Sequence, residues 1–120
     1  SIKLLGVTVL TSMNQKNLGE IGFTKSLENQ IEVLARLAVE TKIHGIICSP
    51  RDIKKIKSIC KKMEIVTPGI RMKKVVGDDQ KRTMTAREAL KEGANILIIG
   101  RPITEGNPEQ NIKKIISSLD

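Results

Sequence analysis

The strongest constraint in this sequence is its alternation. Short runs of β-branched and aliphatic residues recur four times, and each is followed by a stretch with helical spacing. Leu4–Leu10 is a continuous apolar run, as expected of a strand buried on both faces. Ser26 can cap a helix reaching about Thr41, with Ile31, Leu34, Ala35, Leu37 and Ala38 on one side. Gly45–Cys48 reads as a second strand. Ser49 as N-cap and Pro50 as first helical residue then open a helix to about Lys62. Ile65–Thr67 is the third strand, ended by Pro68 and Gly69. A polar, aperiodic stretch from Arg71 to Arg82 follows. Thr85-Ala86-Arg87-Glu88 is a capping box, and Gly93 suits the end of the short helix it begins. Asn95–Ile99 is the fourth strand, closed by Gly100. Asn107-Pro108-Glu109-Gln110 opens a last helix to about Leu119.

Strands alternating with helices predict an α/β fold with a parallel sheet. Two architectures use that order, an open doubly wound sheet and a closed (β/α)8 barrel. Four units in 120 residues is 30 residues per unit, against about 31 in a barrel of about 250 residues. The chain therefore has the length of half a barrel, although an open sheet of four or five strands fits as well. Ser1 leads directly into the first strand, where a domain seldom begins, and this favours half of a domain. The chain contains no low-complexity segment and no internal linker.

Composition narrows function. Apolar residues make up 39% of the chain, enough to build a core. No apolar run approaches the roughly 18–20 residues of a membrane helix, and no secretory or transit segment opens the chain. The net charge of +8 invites a nucleic-acid partner, but one Phe with no Tyr or Trp leaves almost nothing for bases to stack on. The positive charge is spread over helices, most densely from Arg51 to Lys62. Cys48 and Cys60 lack Cys-x-x-Cys spacing and read as reduced packing thiols of a cytoplasmic protein. His44, the sole histidine, has no companions at ligand spacing, so no metal is expected.

In parallel α/β folds, chemistry sits at the carboxyl ends of the strands. Those ends are Thr11-Ser12, Ser49, Thr67-Pro68-Gly69-Ile70-Arg71 and Gly100-Arg101-Pro102. The loop after strand three adds Asp78, Asp79, Gln80, Lys81 and Arg82. Gly100 would let backbone N–H groups approach a phosphate, and Arg101 could grip it with two donors. The same pair could equally be a plain turn with a solvated arginine, and spacing leaves both open. Ser49 has the simpler task of an N-cap, and Arg71 is either a second anion contact or a surface cation. Asp78-Asp79 has no third ligand nearby and reads as a solvated loop. Asp52-Ile53-Lys54 looks like an acid–lysine pair, but it falls in the first turns of a helix and reads as a solvated face.

Taken in order, the blocks Val7-Thr8-Val9-Leu10-Thr11-Ser12, Gly45-Ile46-Ile47-Cys48-Ser49, Val66-Thr67-Pro68-Gly69-Ile70-Arg71, Asp78-Asp79-Gln80-Lys81-Arg82 and Ile99-Gly100-Arg101-Pro102-Ile103-Thr104 resemble the orotidine 5′-phosphate decarboxylase family over essentially all of the chain. The resemblance is to strands five to eight, the C-terminal half of a TIM barrel, and makes residues 1–120 one half of a single domain whose N-terminal half is absent. It implies decarboxylation of orotidine 5′-monophosphate to uridine 5′-monophosphate, without metal or organic cofactor, in an enzyme that is usually a homodimer. Thr11 would hydrogen-bond the pyrimidine edge, and Pro68 would lie against the base. Arg71 would belong to the phosphate end. Gln80 would bridge phosphate and base, and the stretch from Arg71 to Gln80 would close over the substrate. The Gly100 backbone and the Arg101 side chain would hold the phosphate.

The family's chemistry belongs to an Asp/Lys constellation that includes an Asp-x-Lys-x-x-Asp motif, all of it before strand five. This sequence has none of it, since Asp52-Ile53-Lys54 continues Lys55-Ile56. The chain is therefore expected to be inactive alone and to pair with its missing half or a second copy. The alternatives are a non-catalytic half barrel that binds a phosphate ligand and, more weakly, a basic nucleic-acid-binding protein.

Overall fold

The computed structural model describes residues 1–73 and 82–120. Four parallel strands lie in the order β1-β2-β3-β4. They are β1 (Leu5–Val7), β2 (Gly45–Ile47), β3 (Glu64–Thr67) and β4 (Ile96–Leu97). Between and after them come α1 (Gln15–Glu20), α2 (Leu27–Glu40), a 3₁₀ turn (Pro50–Asp52), α3 (Ile53–Ile59), α4 (Ala86–Glu92), α5 (Arg101–Thr104) and α6 (Pro108–Ser117). Each strand neighbours the next in sequence, as a barrel requires. A doubly wound sheet would instead reverse its strand order at a switch point.

Register shows the two faces. Gly6, Ile46 and Ile65 are partners, and Ile46 and Ile65 belong to the core with Ile31, Ala35, Ile53, Ile56, Ala89 and Ile115 of the helices. The alternate row is Val7, Ile47, Val66 and Ile96, partnered in turn across the sheet. Val66 in the middle is 3% exposed, while Val7 and Ile96 on the outer strands are 52% and 46% exposed. A row of branched side chains on the face away from the helices is the arrangement of a barrel interior. Here it is open at both ends.

The first strand differs from expectation. It is shorter than the run Leu4–Leu10, and it is not buried on both faces, since Leu5, Val7 and Leu10 are exposed. The reason is its place at the sheet edge, where only the side toward β2 and the helix face are covered. The third helix also ends early, at Ile59 instead of about Lys62.

The caps explain where the helices start. Ser26 accepts from the Asn29 N–H and opens α2. Thr85 and Glu88 form both halves of their capping box at α4, and Gly93 closes that helix at φ +117°. Asn107 caps α6 ahead of Pro108. Ser49 precedes the 3₁₀ turn but makes no side-chain cap. Its hydroxyl is drawn off to another partner, described below.

Candidate functional site

Five residues from three strand ends line one cleft of about 340 Å³: Thr11 after β1, Pro68 and Arg71 after β3, and Gly100 and Arg101 after β4. Leu10, Ser12, Gly69 and Ile98 complete its wall. These five are among the strand-end residues read from the sequence, and they are the described ones to which the family resemblance gave substrate contacts. The sixth, Gln80, lies outside the described residues, as do Asp78, Asp79 and Lys81.

Each is placed by local structure. Beyond Val7 the chain of β1 stays beside β2 through the bond from Thr8 N–H to the Ile47 carbonyl, 3.1 Å. It then turns, with Met13 N–H donating to the Leu10 carbonyl at 2.9 Å, and so brings Thr11 to the strand end. Thr11 is buried there. Pro68 ends β3, and Gly69 follows with φ +74°. A Cβ on Gly69 would stand 2.6 Å from Thr11 Cγ2, so the absence of a side chain lets the ends of β1 and β3 meet. Arg71 is half-buried. Its backbone N–H donates to the Met84 carbonyl at 3.0 Å, and its Nη1 donates to the Ile70 carbonyl at 2.9 Å. Ile98 N–H donates to the Thr67 carbonyl at 2.9 Å and carries β4 into Gly100, which precedes α5. A Cβ on Gly100 would meet no neighbour within 4 Å among the described residues, so packing among them does not demand a glycine there.

The lining has a clear electrostatic sense. Its described residues contain two guanidinium groups. Thr11 and Ser12 offer hydroxyls, and Leu10, Pro68 and Ile98 offer apolar walls. Such a cleft suits a ligand with an anionic end and a flat ring that takes hydrogen bonds.

Several sequence readings change here. Asp52 is not on a solvated face: its carboxylate pairs with Arg82, and the two side chains are 17% and 11% exposed. Burial raises the Asp52 carboxyl above its ordinary range, with the Arg82 charge pulling the other way. Ser49 is fully buried, and its hydroxyl donates to the Arg82 carbonyl at 2.8 Å instead of capping the helix. Lys55, in the same run, bridges to Glu28 and Glu32 of α2 at 3.2 and 3.3 Å. His44 Nδ1 accepts from the Leu4 N–H at 2.9 Å. Among the described residues no three His, Cys, Asp or Glu side chains gather as metal ligands. No helix among them is long and apolar enough to cross a membrane.

Sequence reasoning missed Leu10 and Ile98 as cleft walls and Arg82 as a junction. Strand alternation could have found Ile98, which shares its side of the strand with Ile96. Nothing local marks Arg82, whose partners are 30 and more than 70 residues away.

The fold and cleft define a class: a parallel βα half-barrel with a cationic cleft at its strand ends. Residues 1–115 match the model of the orotidine 5′-phosphate decarboxylase / HUMPS family, and the chain belongs to that family. It is 46% identical to an orotidine 5′-phosphate decarboxylase of Wolbachia pipientis subsp. Culex pipiens over 98% of this chain and 53% of that protein. It is 48% identical to that of Dictyoglomus turgidum over 98% of this chain and 49% of the relative. The crystal structure of orotidine 5′-phosphate decarboxylase from Lactobacillus acidophilus superposes with a TM-score of 0.78 at 31% identity, over 98% of this chain and 49% of that one. The chain thus spans about half the length of the curated relatives it matches.

Proposed function

We propose that this chain forms the phosphate- and base-holding half of an enzyme that decarboxylates orotidine 5′-monophosphate to uridine 5′-monophosphate. Residues 1–120 would be the C-terminal half of one barrel domain. The observation that carries the reading is the cleft in which Arg71 and Arg101 meet Thr11 and Pro68 at the strand ends. Arg101 and the Gly100 backbone hold the phosphate, with Arg71 as the second cation. Pro68 lies against the pyrimidine, and the Thr11 hydroxyl bonds its polar edge. Gln80 is assigned to the phosphate and base together.

The division of labour has a physical basis. Loss of carbon dioxide leaves a carbanion on the ring, and without an electron-sink cofactor the barrier falls through preorganised charge. The phosphate, remote from the reacting carbon, supplies binding energy that orients the ring. The charge array belongs to the Asp-x-Lys-x-x-Asp segment of the other half. The working enzyme is proposed to be a cytoplasmic homodimer that needs neither metal nor organic cofactor. The second reading, a half barrel that only binds a phosphate ligand, is favoured by one observation: the described walls of the cleft come together in a sequence that lacks the charge array.

Calorimetric titration with uridine 5′-monophosphate tests the site, using this chain co-expressed with a polypeptide that supplies the first four βα units. Loss of one charge-assisted pair of hydrogen bonds makes Arg101→Ala bind roughly 10- to 100-fold more weakly. Equal affinity of variant and parent would remove Arg101 from the site.

A further inference from the structure

Arg82 does not line the cleft, yet its side chain and backbone tie the end of β1, which does, to the turn after β2. Its Nη1 pairs with the Asp52 carboxylate on the 3₁₀ turn after β2. Its Nη2 donates to the consecutive carbonyls of Val9 and Leu10 after β1, at 3.1 and 3.0 Å. Its own carbonyl accepts the buried Ser49 hydroxyl after β2. Two residues on, Met84 donates to the Gly69 carbonyl and accepts from Arg71, pairing with Ile70 after β3.

We infer that Arg82 is a positioning residue that fixes Thr11 against the pyrimidine edge. The inference rests on the nucleotide reading of the cleft. Past the Thr8 bond to β2, the chain of β1 has left the sheet, and Thr11 follows directly on the two carbonyls that Arg82 holds. Thr11 Cγ2 in turn abuts Gly69, whose carbonyl is tied to Met84. The guanidinium fork is what allows one buried side chain to reach a carboxylate in one direction and two carbonyls in another. A lysine ammonium keeps the charge but lacks that fixed, planar geometry. Both terminal nitrogens are satisfied, which offsets most of the cost of burial, while Nε is buried without a partner among the described residues.

The effect should be selective. Thr11 serves the ring, whereas Arg101 and Gly100 serve the phosphate from the far strand. The test titrates the full chain, completed with the first four βα units, with uridine 5′-monophosphate and separately with ribose 5-phosphate. Arg82→Lys should weaken the nucleotide about five- to tenfold, the worth of one hydrogen bond, and leave ribose 5-phosphate within about twofold. In a Thr11→Ala background the same substitution should cost little, because its route runs through Thr11. Should Arg82→Lys fail to fold, Asp52→Asn loosens the same fork from its other side and should give the same selectivity at smaller amplitude. Equal weakening of both ligands, no weakening of either, or full additivity with Thr11→Ala would overturn the inference. A parent protein that binds the two ligands equally would instead overturn the nucleotide reading itself.

Discussion

Gly69 is where the sequence has least freedom. Its φ of +74° and the 2.6 Å approach of Thr11 Cγ2 act together, so Gly69→Ala meets both a backbone penalty and a displaced Thr11. The left-handed conformation alone costs a non-glycine residue about 1–2 kcal/mol, and urea unfolding should show at least that loss. Cys48 makes the opposite kind of prediction. Burial pushes its thiol up to about 12, so at pH 8 it remains protonated in the folded chain. A thiol-reactive dye should label it only as fast as the protein opens. The strand ends that carry Thr11, Pro68, Arg71, Gly100 and Arg101 were legible, because parallel sheets put their chemistry there, and the family resemblance singled out these candidates among their neighbours. Arg82 could not, since its significance lies in contacts with Val9, Leu10 and Asp52 that only the fold creates. Asp52 was misjudged for the same reason: helix position suggested a solvated face, and a partner from a distant loop buried it.

At the scale of elements, helices were legible where their caps follow common chemistry. Ser26, Thr85 with Glu88, and Asn107 with Pro108 announce α2, α4 and α6. The two helices not foreseen are short. The first, α1, is six residues long and begins with a reciprocal Asn14–Asn17 box. The fifth, α5, is a four-residue turn after Gly100 without a side-chain cap. Thr85→Ala should cost about 1 kcal/mol by removing one half of the α4 box. The other half titrates. Hydrogen bonds from the backbone and then the side chain of Thr85 hold the Glu88 carboxyl below its ordinary value of 4.5. Its contribution is present above that value and is lost as pH falls through the lowered one. Glu88→Gln should therefore destabilise the chain at pH 7, and the difference should shrink as pH falls below 4.5, as read by thermal unfolding across that range.

At the scale of the whole molecule, the interval of 30 residues per unit already pointed to half a barrel but left an open sheet possible. The sequential strand order and the row Val7, Ile47, Val66, Ile96 decide for the barrel, and the relatives of twice the length agree. The sequence could not reveal that β1 is exposed, because an apolar run looks the same at an edge as in the middle of a sheet. That run, with Ile96 and Ile98 at the opposite edge, leaves apolar surface and two open strand edges on one molecule. In sedimentation velocity the isolated chain should run heavier than a monomer, and a single sharp monomer peak would count against this. The central claim concerns the division of one active site between two halves of a barrel. Release of carbon dioxide from carboxyl-labelled orotidine 5′-monophosphate tests it most directly, with this chain assayed alone and then together with a polypeptide supplying the first four βα units. The account predicts no release from the chain alone and release from the pair, abolished by omitting either half. Turnover by the chain alone, or none from a properly assembled pair, would contradict it.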